Sequence, residues 1–418
     1  MDETTPHREG RRRILMACAA FPPFIDGGGP ISAMMVAKLL IAAGHEVEVV
    51  NVSGEDRHEI FDGVPVRRLK SLNVDWNYRL PRPAWKKALW HALENFNPRA
   101  FFVMRREMRR FRPDLVLTDS IENVNVATWA AAKSLGLPTV HILRSAFLLC
   151  WKASMRKGGD NCGRACGSCQ ASSYGKKLTS RFVDAVVGET QFIVGRHLEH
   201  AYFPNATAHV VPGAIKEIVA RAPREAPKGR PVRFGFIGVL DPVKGLDTLA
   251  AAAHRLAGVD AEFLIAGTGF GDYADGLAAT FPVASTRFLG WTKPADFFPQ
   301  VDVLVVPSLF REPFGRVAIE AFAHGVPVIA ARSGGLPETI EPGHNGDVFA
   351  PGDDAELAAK LAAITAQPEI IERLSAGALA SAEKYLTPRI AAGFDQVFAS
   401  LDQRPARAPR LVPHGAQA

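Results

Sequence analysis

Short apolar runs rich in Val, Ile and Leu alternate with longer stretches of helical spacing along most of the chain. The first run, 13–20, predicts a strand. A helix is expected over 30–43, with Pro30 in its first turn and Gly44 as its stop. A β-rich run follows at 47–52, and buried strands are predicted at 115–118, 139–143 and 185–187, with a helical pattern at 124–135. Strands that are apolar throughout belong to parallel sheets covered on both faces. The pattern breaks at 221–231 (RAPREAPKGRP), where proline and charge predict an exposed interdomain linker. It then restarts, with strands at 232–237, 262–266, 287–289, 303–306 and 328–331 and helices at 246–256, 294–301, 315–323 and 353–366. Two doubly wound α/β domains facing each other across a cleft are therefore expected, the cleft being where such folds take ligands. The expected boundaries are 1–215, carrying a Cys-rich insertion at 150–170, and 216–385. A helix over 386–403 should return toward the first domain, and 404–418 should be a disordered tail.

Composition agrees with this outline: 418 residues suit two domains of about 200 residues each. With 47% hydrophobic and 22% charged residues, both can bury a core without disulfides. The apolar run 14–21 is short and lacks a small-residue cleavage site, so it reads as a buried strand rather than a signal peptide. No run reaches the roughly 18 apolar residues of a membrane span, and a cytoplasmic location is expected. The net charge of +6 divides into +9 over 1–212 and −3 over the rest. Arg105, Arg106, Arg109, Arg110 and Arg112 cluster in the first half, as a solvated helix face or as a contact for anionic lipid at the inner membrane face. Trp85, Leu89, Trp90, Leu93 and Phe96 recur at helical spacing just upstream and read as a core-facing stripe. No nucleic-acid partner is expected.

Three pieces of the second half carry candidate chemistry. The strand at 232–237 leaves through Gly238 into Asp241-Pro242-Val243-Lys244-Gly245, which places a lysine where it can meet a phosphate. After the strand at 328–331, Ser333-Gly334-Gly335-Leu336-Pro337 opens a helix whose free N–H groups suit an anion. Between them, Glu312-Pro313-Phe314-Gly315 leads into a helix carrying Glu320, eight positions after Glu312. Carboxylates accept charge-assisted hydrogen bonds from vicinal hydroxyls, so one could hold a hexose and the other a ribose.

These residues, within SLFREPFGRVAIEAFAHGVPVIAARSGGLPETI, resemble the E-x7-E motif of the family 4 retaining glycosyltransferases, which have the GT-B fold. The resemblance extends over most of 13–400, through GGGP…LLIAAGHEVEVV and VVGETQFIVGRHL…VVPGAI. It implies transfer of a sugar from a UDP- or GDP-linked donor to a polysaccharide, glycolipid or small-molecule acceptor, with retained configuration and no catalytic metal. It implies that Glu312 binds donor-sugar hydroxyls, with amides around Phe314 and Gly315 facing the donor, and that Glu320 binds the ribose. Lys244 would pair with the pyrophosphate near Gly238 and the Gly335-Leu336-Pro337 turn. His141 would reach the donor sugar from the first domain as a catalytic residue beside Glu312 and Lys244, and Gly27, Gly28 and Gly29 would form the loop at the reaction centre. One position departs from the family: Val239 stands where an arginine is usual, so one cation is missing unless Arg144 or Arg316 replaces it. A sugar-nucleotide epimerase and a donor-binding pseudo-enzyme are the competing readings.

Cys150, Cys162, Cys166 and Cys169 have the spacing C-x11-C-x3-C-x2-C in a segment rich in Gly and basic residues. A structural Zn2+ is the favoured reading for a reduced compartment. Two disulfides, an iron–sulfur cluster and unrelated thiols are the alternatives. Cys18, inside the first strand, reads as a small core residue.

Overall fold

The computed structural model describes residues 10–24, 28–76, 83–269, 271–403 and 411–412. Gly27 and nearly all of the expected tail 404–418 lie outside them. The chain forms two compact units, Met1–Ala214 with Pro388–Ala418, and Ile215–Thr387.

In the first unit the described residues form a nine-stranded sheet. Its order is Leu411–Val412, Thr207–Val210, Ala185–Gly188, Thr139–Leu143, Leu115–Asp119, Arg13–Cys18, Glu46–Val52, Val64–Leu69 and Arg57–Phe61. All neighbours are parallel except the last pair, a hairpin that the sequence reading did not anticipate. Strand alternation divides the core. Ile14, Met16 and Cys18 face the helices Gly28–Ala42 and Thr387–Asp402, while Leu15 and Ala17 face Pro98–Phe111 and Ala127–Lys133. The order reverses at Arg13–Cys18, with Glu46–Val52 on one side and Leu115–Asp119 on the other. Strands diverge at such a point, and ligands bind beyond their carboxyl ends.

The second unit repeats the plan with six parallel strands, in the order Thr286–Gly290, Ala261–Ala266, Val232–Ile237, Val303–Val306, Val328–Ala331 and Gly346–Phe349. Its reversal lies between Val232–Ile237 and Val303–Val306, so the loops after these two strands are neighbours. Phe234 and Phe263 fill one face, Leu264 and Leu304 the other.

Two local expectations change. Residues 221–231 are tied to the second unit rather than linking two domains. Arg224 donates to the carbonyls of Phe298 and His324, and Arg230 pairs in a fork with Asp302. The aromatic stripe is not core throughout: Trp90 is buried, but Trp85 is 65% exposed. Its helix, Ala84–Asn95, packs through another face.

Two histidines are enclosed in the first unit. His141 meets the Thr118 hydroxyl at 2.9 Å through Nδ1 and packs against Trp129 and Phe203. His197 meets the Ile193 carbonyl at 2.8 Å. Burial, with His197 adding to it, pushes the His141 pKa down to about 3, and burial pushes His197 down to about 4. Both folded values lie below the unfolded value, so on acidification the unfolded chain binds protons that the folded chain refuses. Their stabilising contribution is complete above the unfolded pKa and is lost as pH falls. Urea unfolding is expected to show a loss of about 2 kcal/mol per histidine between about pH 7 and about pH 5, from unfolded values of about 6.5. His141→Gln should flatten that slope by close to one proton, and equal wild-type stability at the two pH values would contradict the assignment.

Candidate functional site

The second unit brings the three sequence-predicted pieces together at its strand ends. Asp241 caps the turn Pro242–Lys244 by accepting from the Val243 amide at 2.9 Å. The Val243 carbonyl then accepts from the amides of Leu309 and Phe310 at 2.9 and 3.0 Å, joining the loop after Val232–Ile237 to the loop after Val303–Val306. The approach is close enough to demand glycine: a Cβ on Gly245, at φ 74°, would lie 1.9 Å from the Pro307 carbonyl oxygen. Lys244 thereby reaches Glu312, with Nζ 2.6 Å from Oε1, and Ser308 Oγ donates to the same oxygen at 2.9 Å. Both charged side chains keep partial access to solvent.

The Gly334–Gly335 turn braces Glu312 from behind. The Gly335 amide donates to the Glu312 carbonyl at 2.7 Å, and a Cβ on Gly334, at φ 65°, would sit 2.2 Å from that oxygen. This corrects the expectation of a helix start with free amides. The helix Leu336–Thr339 is one turn long, the Gly335 amide is already used, and Leu336 is fully buried. Pro337, in its first turn, has no N–H to offer. Phe314 is buried against Tyr385, and Gly315 caps the helix Arg316–Ala323. Glu320 lies on that helix, paired to Arg316 at 2.7 Å. Gly238 follows the strand Val232–Ile237, its amide bonded to Ala266 O. The cation, hydroxyl and carboxylate together can offer charge to a phosphate and an acceptor to sugar hydroxyls. Ser308 was missed in the sequence, where a serine after an apolar run carries no distinctive spacing.

In the first unit a cavity of about 800 Å3 opens at the strand reversal, lined among others by Gly28, Gly29, Asp119, Glu122, Arg144 and Trp151. Gly28 and Gly29 begin the helix Gly28–Ala42. Arg144, just past the strand Thr139–Leu143, forms a fork with Asp119 at 2.6 and 2.7 Å and reaches Glu189 at 2.7 Å. These two carboxylates outweigh its burial and hold the guanidinium well above its usual pKa. Burial raises the Glu122 carboxyl, which accepts from Ser145 through one oxygen while the other has no partner among the described residues. His141, three residues before Arg144, faces the core and not this cavity, because the strand's alternation turns it toward Trp129. Arg144 and Arg316, the candidates to replace the cation missing at Val239, are both already paired to carboxylates.

All five cysteines are free thiols, so neither disulfide is present. Cys150 and Cys169 approach to 3.5 Å between sulfurs, and Cys166 caps the helix Gly167–Ser172 with its sulfur 3.2 Å from Ser168 Oγ. The Ser168 hydrogen bond, with Cys169, draws the Cys166 thiol down to about 7, while burial raises Cys169 to about 12. Cys162 lies at the end of a small hairpin, its amide bonded to Met155 O. Among the described residues no group of three or more His, Cys, Asp or Glu is placed to hold a metal ion, so the expected zinc cluster is not formed here.

Comparison with known proteins defines the class. The sequence model of a glycosyl transferase 4-like domain matches residues 27–214, and that of the glycosyl transferases group 1 matches 231–367. A D-inositol 3-phosphate glycosyltransferase of Streptomyces scabiei is 29% identical over 94% of this chain and 92% of its own length. Among solved structures, sucrose-phosphate synthase from Thermosynechococcus elongatus superposes with a TM-score of 0.71 at 20% identity, covering 94% of this chain and 99% of that one. Anabaena HepE in complex with UDP-glucose gives 0.66 at 18% identity, covering 94% and 100%. The fold is GT-B. The chain belongs to the group 1 and 4-like glycosyltransferases, and it is a glycosyltransferase.

The brace behind Glu312 yields a test. Gly334→Ala forces a methyl group against the Glu312 backbone at a left-handed φ, and should cost about 1–3 kcal/mol of stability. Thermal unfolding of the variant should show a lowered Tm, and an unchanged Tm would mean that the two loops are not held together this way.

Proposed function

We propose that this glycosyltransferase moves a hexosyl group from a UDP- or GDP-linked donor to a polysaccharide, glycolipid or small-molecule hydroxyl, in the cytoplasm. The observation that carries the reading is the Lys244–Glu312–Ser308 cluster at the strand reversal of the second unit. The likeness to a UDP-glucose complex supports a nucleotide-sugar donor. On donor binding, Lys244 leaves Glu312 for the diphosphate and stabilises the charge that builds on the leaving group. Glu312, freed of its cation, accepts from the sugar hydroxyls, and Glu320 accepts from the ribose. The reading includes retention of configuration, a leaving phosphate that assists acceptor deprotonation, and catalysis without a metal. With Val239 in place of a second cation, Lys244 carries the diphosphate alone.

Donor identity follows from a thermal-shift screen across UDP-, GDP- and ADP-sugars, since a ligand that binds only the folded state raises its Tm. With the donor so found, Glu312→Gln is expected to lower kcat/KM for nucleoside-diphosphate release about 100- to 1,000-fold with the fold intact. Wild-type turnover in that variant would remove the proposed site. Epimerised donor in the absence of any acceptor would replace transfer by epimerisation, and NMR of the product anomer decides retention.

The cysteine spacing also supports a structural Zn2+, for which the four thiols would have to draw together from the arrangement described above. Protein purified without chelator is expected to carry near-stoichiometric zinc by elemental analysis. Folded, metal-free protein would remove the assignment.

A further inference from the structure

The helix Ala84–Asn95 is fixed on one side and open on the other. Its inner face buries Trp90 and Glu94, which bond to each other at 2.9 Å. At its end Asn95 bonds to the Ser172 carbonyl and the Gly175 amide at 2.8 and 2.9 Å. Its outer face carries Trp85, Leu89, Ala92 and Phe96, whose steps of four, three and four residues place them on one side. Trp85 is 65%, Leu89 45% and Phe96 41% exposed, so no described part of the chain covers the stripe.

The stripe continues onto the next helix, Pro98–Phe111. The rings of Phe96 and Phe101 lie 6.5 Å apart, and Phe101 meets Phe102 edge-on at 5.2 Å. Phe102 is 66% exposed and shares its face with Arg99, Arg106 and Arg109, in steps of three, four and three residues. Across 83–112 there are eight Lys and Arg against two Glu. Both glutamates are buried and paired, Glu94 to Trp90 and His91, Glu107 to Arg106 and Arg110. The exposed charge on these helices is therefore of one sign.

We propose that the outer faces of these two helices dock on an anionic lipid bilayer. A Trp, Leu and Phe stripe beside a basic face is the composition of a helix that lies in the membrane interface, where the apolar side enters the acyl boundary and the cations meet lipid phosphates. A second copy of the chain suits the surface less well, since it would bring its own cations against these. No helix among the described residues is long and apolar enough to cross a membrane, so attachment here is a surface contact. The inference needs no assumption about sugar transfer, because its readout is binding.

The test is co-sedimentation of the full chain with vesicles of phosphatidylcholine alone, and with one third phosphatidylglycerol. Binding to the anionic vesicles at low salt is expected, falling as salt screens the charges. Trp85→Ser with Phe102→Ser should lower the partition at least about tenfold. Arg99→Gln with Arg109→Gln should lower it roughly 30-fold and flatten its salt dependence. Both variants alter exposed side chains and should keep the wild-type Tm. Equal binding to both vesicle types, or none to either, overturns the proposal. So does a serine variant that binds vesicles like the wild type but loses a dimer seen by light scattering, which would assign the stripe to a second copy.

Discussion

The candidate donor site depends on two backbone segments coming closer than any side chain would allow. Gly245 lies against the Pro307 carbonyl, and Gly334 lies against the Glu312 carbonyl. Between these two contacts the segment from Pro307 to Glu312 is clamped, and the Glu312 carboxylate has little freedom to go elsewhere. Only then does a flexible lysine find it at 2.6 Å. The ion pair is partly solvated, so it contributes little to stability by itself. Its importance is positional: it holds a cation and an acceptor at one strand end before any ligand arrives.

Much of this was legible in the sequence. The apolar runs Val232–Ile237, Val303–Val306 and Val328–Ala331 were readable because parallel strands buried on both faces are apolar throughout. The loops after them were readable for the same reason, since glycine, lysine and glutamate stand out when a strand has just ended. The hairpin Arg57–Leu69 was not, because its edge strand is mostly polar and exposed. The purpose of the Gly334–Gly335 turn was misread as well. Sequence shows that a turn needs glycine, but it cannot show whether the reason is an approaching ligand or an approaching backbone.

The first unit shows the same limit in another form. His141 and Arg144 are three residues apart at the end of one strand, and either could be chosen as the polar group that emerges. Geometry separates them. Within the strand His141 points into the aromatic core, whereas Arg144, beyond the last strand residue, turns to the cavity and is held by Asp119 and Glu189. The helix Ala84–Asn95 follows the same logic, since of the apolar stripe that periodicity predicts the fold buries Trp90, together with Glu94, and leaves Trp85, Leu89 and Phe96 exposed.

The division of the chain has a consequence for its birth. Eight of the nine described strands of the first unit's sheet are made early, yet one of its faces is completed by Ile390, Phe394, Val397 and Phe398, from the last helix. The second unit, Ile215–Thr387, is contiguous and holds all of its own strands. During synthesis the inserted unit can therefore close first, while the unit that begins the chain waits with Ile14, Met16 and the helix Gly28–Ala42 partly uncovered. The interval exposes an apolar sheet face on the ribosome, which makes the first half of the molecule the part that calls for a chaperone.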